Sequence, residues 1–127
     1  MKRYAHQIGA VFYMIWGVLH IRSALGVYAA STAMPPGMED VGGWLFQGAW
    51  NMLWMAVASI VVAAVYNWKN RPVGYWVNLV LVSLASMGFI FAVLAPGYVP
   101  LEKGLIGPVV WLLAVAFSTI GYRGERV

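Results

Sequence analysis

The chain has 127 residues, of which 62% are hydrophobic and 9% are charged, and its formal net charge is +4. A typical soluble domain carries about 25% charged residues, and a domain this small has too little interior to bury so much apolar surface. These values exclude a water-soluble fold. The basic residues are scattered at the ends of apolar segments, so a nucleic-acid-binding surface is excluded too. The lack of cysteine excludes disulfides, thiolate metal sites and thiol catalysis.

The first apolar segment, residues 8–30, is long enough to cross a bilayer, which takes about 20 apolar residues in a helix. A signal peptide is the competing interpretation, because a basic start precedes the run and small residues follow it. Two features favour a transmembrane helix instead. The run is too long for the apolar core of a signal peptide, and His20 and Arg22 interrupt its second half.

Three more apolar segments are predicted to span the membrane: residues 44–67, 73–95 and 104–122. The segments 31–43 and 96–103 contain proline, glycine and acidic residues and are predicted to be loops, and 68–71 is a short basic turn. Lipid admits only helices or closed barrels, and the chain lacks the alternation of a barrel strand. The sequence therefore predicts an all-α integral membrane four-helix bundle, with its helices in up-down-up-down order.

The positions of the basic residues predict the orientation in the membrane, because lysine and arginine accumulate in cytoplasmic segments. They occur in the first residues, in the turn at 68–71 and in the C-terminal tail. The other two loops contain only Lys103, beside Glu102, and the acidic pair Glu39 and Asp40. Both termini are therefore predicted to be cytoplasmic.

Polar and aromatic residues of all four predicted spans fall in the outer half of the membrane. With a rise of about 1.5 Å per residue, His20 and Asn51 each lie about 12 Å below the outer surface, and Gln47 lies about 6 Å below it. Ser86 of the third span and Trp111 of the fourth fall close to the level of His20.

Helical periodicity adds aromatic side chains to the same helical faces, since Tyr13 and Trp16 share the face of His20, and Trp54 shares that of Asn51. Polar groups that face lipid would lack hydrogen-bond partners, so these faces are predicted to point into the bundle. They would form an aromatic-walled cavity with a few hydrogen-bonding groups, as in small-molecule sites. The competing interpretation is that the same groups only join neighbouring helices.

Arg22 points about 200° away from His20 around the helix. Three outcomes are open. Its side chain extends to the outer headgroups, pairs with Glu39 or Asp40, or binds an anionic group of a ligand. Pairing with the acidic loop is the preferred prediction.

Small residues of the first span are predicted to admit a close neighbouring helix: Gly9, Gly17, Ala24 and Gly26. Gly107 and Pro108 are predicted to bend the fourth span near its outer end. Such a bend would open an entrance between helices or serve packing alone.

The predicted spans contain no Asp, Glu or Lys, which excludes a membrane-buried carboxylate and a Ser-His-Asp triad within the membrane. No metal site is predicted, because the chain has two histidines and His6 lies near the opposite surface from His20. A haem held by His20 alone stays open, so the cofactor is left unknown. With Asn51, Gln47 or Tyr13, His20 is suited to acid–base chemistry on a lipophilic substrate.

The segment Gly17-Val18-Leu19-His20 lies in the first of four predicted spans, after a short basic N-terminus. In these features the chain resembles the small bacterial DoxX-like membrane proteins and related four-helix families with a Gly-x-x-His in the first helix. The resemblance implies a multi-pass protein of the bacterial inner membrane and, for some members, a link to quinone-coupled sulfur oxidation. It carries over Gly17 and His20 alone.

Three functional hypotheses follow. The leading one is a small membrane protein that binds a lipophilic small molecule (quinone, isoprenoid or lipid) in the outer-half pocket, with the lipid bilayer around it and with a homo-oligomer or a larger membrane complex as its setting. The second is a membrane-embedded isomerase or redox enzyme with His20 as its acid–base group. The third is a structural membrane subunit without a ligand. The predicted ligand-binding residues are Tyr13, Trp16, His20, Arg22, Gln47, Asn51, Trp54, Ser86 and Trp111.

Overall fold

A computed structural model describes residues 4–124, which form helices and no β-strand in that range. The helices are α1 (Ala5–Thr32), α2 (Glu39–Val65), α3 (Pro72–Phe89), α4 (Leu101–Gly104) and α5 (Ile106–Gly124). A 3₁₀ turn, Asn67–Lys69, follows α2, and a π-helical turn, Ile90–Leu94, continues α3. The predicted all-α class is therefore confirmed.

Four segments are long and apolar enough to cross a membrane: Ala5–Thr32, Glu39–Lys69, Pro72–Leu94 and Leu101–Gly124. Each contains most or all of one predicted span. The largest difference is at α2, which begins at Glu39 rather than at Trp44, because acidic side chains interact favourably with the first turn of a helix. Three of the basic residues on which the predicted orientation depends lie outside the described residues: Lys2, Arg3 and Arg126.

The first helix organises the packing, because α1 makes the most extensive contacts with both α2 and α5, while α3 packs against α2 and α5. Gly9 lies against Ser118 of α5, and Gly17 lies against Ile60 of α2, so closely that a Cβ atom at either glycine would collide with its neighbour. Their predicted role in close packing is confirmed. For Gly26 the prediction is wrong, because in the described part of the chain no atom of a neighbouring helix lies within 4 Å of the position that its Cβ would take.

The core contains side chains from all four long helices. Tyr13 and Trp16 of α1 are its largest members, and they pack in a cluster with Ala63, Val82 and Ala114. Because α1 contributes the bulky residues and its neighbours contribute small ones, the helices approach closely around Trp16. This packing fixes the level at which the candidate site lies.

Candidate functional site

A cavity of about 430 Å³ lies between α1, α3 and the segment that includes α4 and the start of α5. Its volume falls within the range of about 300–1,000 Å³ that is usual for small-molecule sites. Four of the polar residues that line it are His20, Arg22, Ser86 and Lys103. The sequence placed His20 and Ser86 at one depth, and the structure brings them to one cavity.

The indole ring of Trp16 packs against the imidazole ring of His20. The two rings stack with their centroids 3.7 Å apart and their planes at 22°. The indole Nε1 of Trp16 donates a hydrogen bond to Ser86 Oγ at 3.1 Å, and both residues are almost fully buried, with 1% and 2% of their surfaces exposed. The hydrogen bond joins α1 to α3 and so fixes the position of the Trp16 ring on which the His20 ring stacks.

The two ring nitrogens of His20 have different environments. Nδ1 lies 2.8 Å from the carbonyl oxygen of Trp16, and because a carbonyl only accepts, Nδ1 carries a proton and donates it. Nε2 has no hydrogen-bond partner among residues 4–124. In the neutral ring, Nε2 therefore carries a lone pair that is free to accept a proton or a hydrogen bond from a molecule in the cavity.

Two cations, Arg22 and Lys103, line the cavity, and no carboxylate does so within the described part of the chain. The preferred pairing of Arg22 with Glu39 or Asp40 is not formed, and no other ion pair involves Arg22 among the described residues. Arg22 lies ten residues before the end of α1, about 15 Å along the helix. Glu39 is instead occupied locally, since its carboxylate accepts a hydrogen bond from the Gly37 N–H at 3.1 Å.

The backbone is irregular in or beside two of the segments that line the cavity. The helix is interrupted at Leu105, between α4 and α5, close to the bend predicted at Gly107 and Pro108. Both of these residues line the cavity, and a Cβ at Gly107 would lie 3.7 Å from Cε1 of His20. The π-helical turn directly follows Phe89, another lining residue, and π-turns are frequent at functional sites.

Three predicted site residues of α2 point away from the cavity. Gln47, Asn51 and Trp54 are exposed, and the predicted inward orientation of their face is wrong. The opposite face of α2 carries the small residues Ala49 and Ala56, and it is this face that is buried in the bundle. Close packing of small residues thus decides which face of α2 turns inward.

Tyr13 and Trp111 have positions in the bundle but do not line the cavity. Tyr13 is fully buried in the core, and its hydroxyl has no hydrogen-bond partner among residues 4–124. Trp111 Nε1 donates to Ser83 Oγ at 2.9 Å, which joins α5 to α3. In the structure these two residues therefore contribute to helix packing, and their predicted contact with a ligand is not supported by position.

The sequence did not single out several lining residues, among them Met52, Phe89, Val99 and Lys103. Of these, Lys103 had the clearest sequence signal for a functional role, because it is the one basic residue in the two predicted loops that contain acidic residues, 31–43 and 96–103. The others are ordinary apolar residues, and only the three-dimensional packing shows that they face a cavity.

A second depression lies between α1 and α2, with a volume of about 240 Å³. Its walls are apolar and include Leu25, Tyr28 and Phe46. Among the described residues no charged side chain lines it, so it lacks the groups that would bind an anionic head group. The cavity beside His20 is the better candidate for this reason.

In the described residues no group of three or more histidine, cysteine, aspartate or glutamate side chains is placed to hold a metal ion. Comparisons with protein-family models, with curated proteins and with solved structures found no match. The resemblance to DoxX-like proteins stays a prediction. The geometry of the cavity therefore provides the basis for a functional proposal.

The contact between Trp16 and Ser86 leads to a first prediction. Ser86→Ala should leave the buried Nε1–H of Trp16 without an acceptor, which costs about 1–3 kcal/mol of stability. Ser23→Ala is the control, because the exposed Ser23 hydroxyl only bonds the Leu19 carbonyl of its own helix. The free energy of unfolding, measured by SDS titration in mixed micelles, should fall for Ser86→Ala alone. Equal stability of the two variants would contradict a structural role for this hydrogen bond.

Proposed function

We propose that the protein crosses the bacterial inner membrane four times in up-down-up-down order, with both termini in the cytoplasm. This order is supported by contacts between a residue in the first half of one helix and a residue in the second half of another. They are the contacts of Gly9 with Ser118, Ser31 with Gly42, Gly17 with Ile60, and Tyr75 with Thr119. Lys69, Arg71 and Arg123 would then lie at one end of the bundle, and Glu39 and Asp40 at the other. The positive-inside rule assigns the basic end to the cytoplasm.

Cysteine labelling tests this orientation, and the natural chain has no cysteine to interfere. Ala33→Cys places an exposed thiol after α1, and Gly124→Cys places one at the end of α5. In spheroplasts, a membrane-impermeant maleimide should label Ala33→Cys at once and Gly124→Cys only after permeabilisation. The opposite pattern would contradict the orientation, and labelling of both positions from one side would contradict the order of the helices.

We propose that the protein binds a lipophilic small molecule in the cavity beside His20, namely a quinone, an isoprenoid or a lipid whose polar head is anionic or accepts hydrogen bonds. One observation supports this most strongly. Arg22 and Lys103 line the same cavity as His20, and no carboxylate of residues 4–124 lines it with them. The relationship to DoxX-like proteins suggested by the first helix agrees with a ligand of this kind.

The polar end of the cavity offers hydrogen-bond donors. A guanidinium and an ammonium group both bind phosphate or carboxylate, and both donate to a quinone carbonyl. Ser86 Oγ accepts from Trp16, which leaves its own O–H free to donate. Nε2 of His20 would accept from a hydroxyl group on the same ligand.

The remaining walls suit a hydrocarbon tail. The apolar residues that line the cavity include Leu19, Met52, Phe89, Val99 and Pro108. A hydrocarbon tail makes similar apolar contacts whether it lies against these residues or in the surrounding lipid. The head group would therefore determine where the molecule binds, and the tail would add contacts without selectivity.

Native mass spectrometry of the protein extracted in mild detergent tests this proposal. The wild type should retain a bound lipophilic molecule, identified by lipid extraction, and Arg22→Gln with Lys103→Gln should lower its occupancy at least about tenfold, since each charged hydrogen bond contributes about 1.5–3 kcal/mol. Lys69→Gln with Arg71→Gln removes the same charge far from the cavity and should leave the occupancy unchanged. Equal loss in the two double variants, or no loss in either, would contradict the proposed head-group site.

A second candidate function is acid–base catalysis on the bound molecule, and the arrangement of the His20 ring favours it. With Nδ1 held by the Trp16 carbonyl, Nε2 is oriented to take a proton from a substrate and to return it at another carbon, as an isomerase does. His20→Gln distinguishes the hypotheses in the same assay. Retained ligand without conversion indicates catalysis, loss of ligand from a folded protein indicates binding alone, and loss of the fold indicates a structural subunit.

A further inference from the structure

The lipid-facing side of α2 carries two amides. We call the residues Gln47, Trp50, Asn51 and Trp54 the α2 stripe, because helical spacing places them within about 100° of one another. All four are exposed, and 61% of the Trp50 surface and 50% of the Trp54 surface are accessible. Neither amide side chain has a hydrogen-bond partner in the part of the chain that the structure describes.

Asn51 lies well inside the hydrocarbon region. It follows Asp40 by eleven residues, about 16 Å along the helix axis, and no charged residue occurs between Asp40 and Lys69. Water does not reach this depth, so an amide there stays unpaired unless another molecule supplies the partner. The exposed position of Asn51 thus requires a contact that a single copy of the chain does not provide.

We propose that the α2 stripe is the interface between two copies of this protein, related by a two-fold axis along the membrane normal. An asparagine amide has both donors and an acceptor, so it is complementary to its own copy. Two copies inserted in the same orientation also place Asn51 at the same depth, which a different partner would match only by coincidence. The two α2 helices would run parallel, with their Asn51 side chains bonded to each other.

The backbone next to the stripe permits this approach. Gly43 lies on the face of the stripe and Gly48 lies beside it, and among the described residues no atom outside their own stretch of helix backbone lies within 4 Å of a Cβ at either position. Small residues at such positions let two membrane helices come close. No residue of the α2 stripe lines the cavity beside His20, and Met52 is the α2 residue that does, so the interface and the ligand site use different side chains.

Association in lipid vesicles tests the interface. Fluorescence energy transfer between labelled copies, followed as the protein is diluted with lipid, should show a dimer whose dissociation constant rises at least tenfold in Asn51→Leu. Asn51→Gln should retain most of the association, because it keeps the amide. Leu84→Ala, which alters an exposed residue on the lipid side of α3, is the matched control and should have no effect. Circular dichroism confirms that each variant is folded.

Cross-linking provides a second measurement. Ala58→Cys lies two turns after Asn51 on the same face and should form a disulfide-linked dimer on mild oxidation, whereas Leu84→Cys should not. A monomeric wild type at every lipid ratio, or an Asn51→Leu dimer as tight as that of the wild type, would overturn the proposal. A monomer that retains another protein or a lipid through Asn51 would overturn it too and would identify the other occupant.

Discussion

Hydrocarbon offers no hydrogen-bond partners, so every polar side chain within a span needs one from the protein, from a ligand or from another chain. Several polar groups find theirs inside the bundle. Trp16 bonds Ser86, and Trp111 bonds Ser83. The Asn78 amide donates to the Asn67 side chain at 3.0 Å in the same way. The first two bonds join α3 to α1 and to α5, the third joins α3 to the 3₁₀ turn before it, and together they fix α3 in the bundle.

Some polar groups lack a partner in the described residues although they are buried in the bundle, as the Tyr13 hydroxyl is. Two other sets of unpartnered polar groups differ from it, because they open onto a cavity or onto the surface of the bundle. Nε2 of His20 opens onto a cavity together with Arg22 and Lys103, where a bound molecule would complete its hydrogen bonds. Asn51 and Gln47 open toward lipid on another helix, where a second copy would do so. One physical constraint therefore leads to two separate proposals, a ligand site within the protein and an interface on its surface.

Much of the fold is predictable from the sequence because the decisive signal is local. A run of apolar residues long enough to cross a bilayer is visible in composition alone, so the four spans and the all-α class were correctly predicted. Depth is nearly as local, since it depends on counting residues from a surface. This is why His20 and Ser86 were placed at one level and do line one cavity in the structure.

Rotation of a helix about its axis is less predictable. Polarity suggested that Gln47, Asn51 and Trp54 face inward, but Ala49 and Ala56 on the opposite face pack more closely. That choice depends on the shape of the neighbouring helices, which a single sequence does not contain. Lys103 was missed for a related reason, because its contact with the cavity depends on how the interruption at Leu105 directs the chain.

The most direct test of the central claim is a crystal structure of the protein purified from its membrane without removal of lipid and grown in a lipidic phase. We expect electron density for a bound molecule beside His20, with its polar end between Arg22 and Lys103 and its apolar end against Phe89. A cavity closed by its own side chains, or density confined to the apolar depression beside Tyr28 and Phe46, would contradict the proposed site.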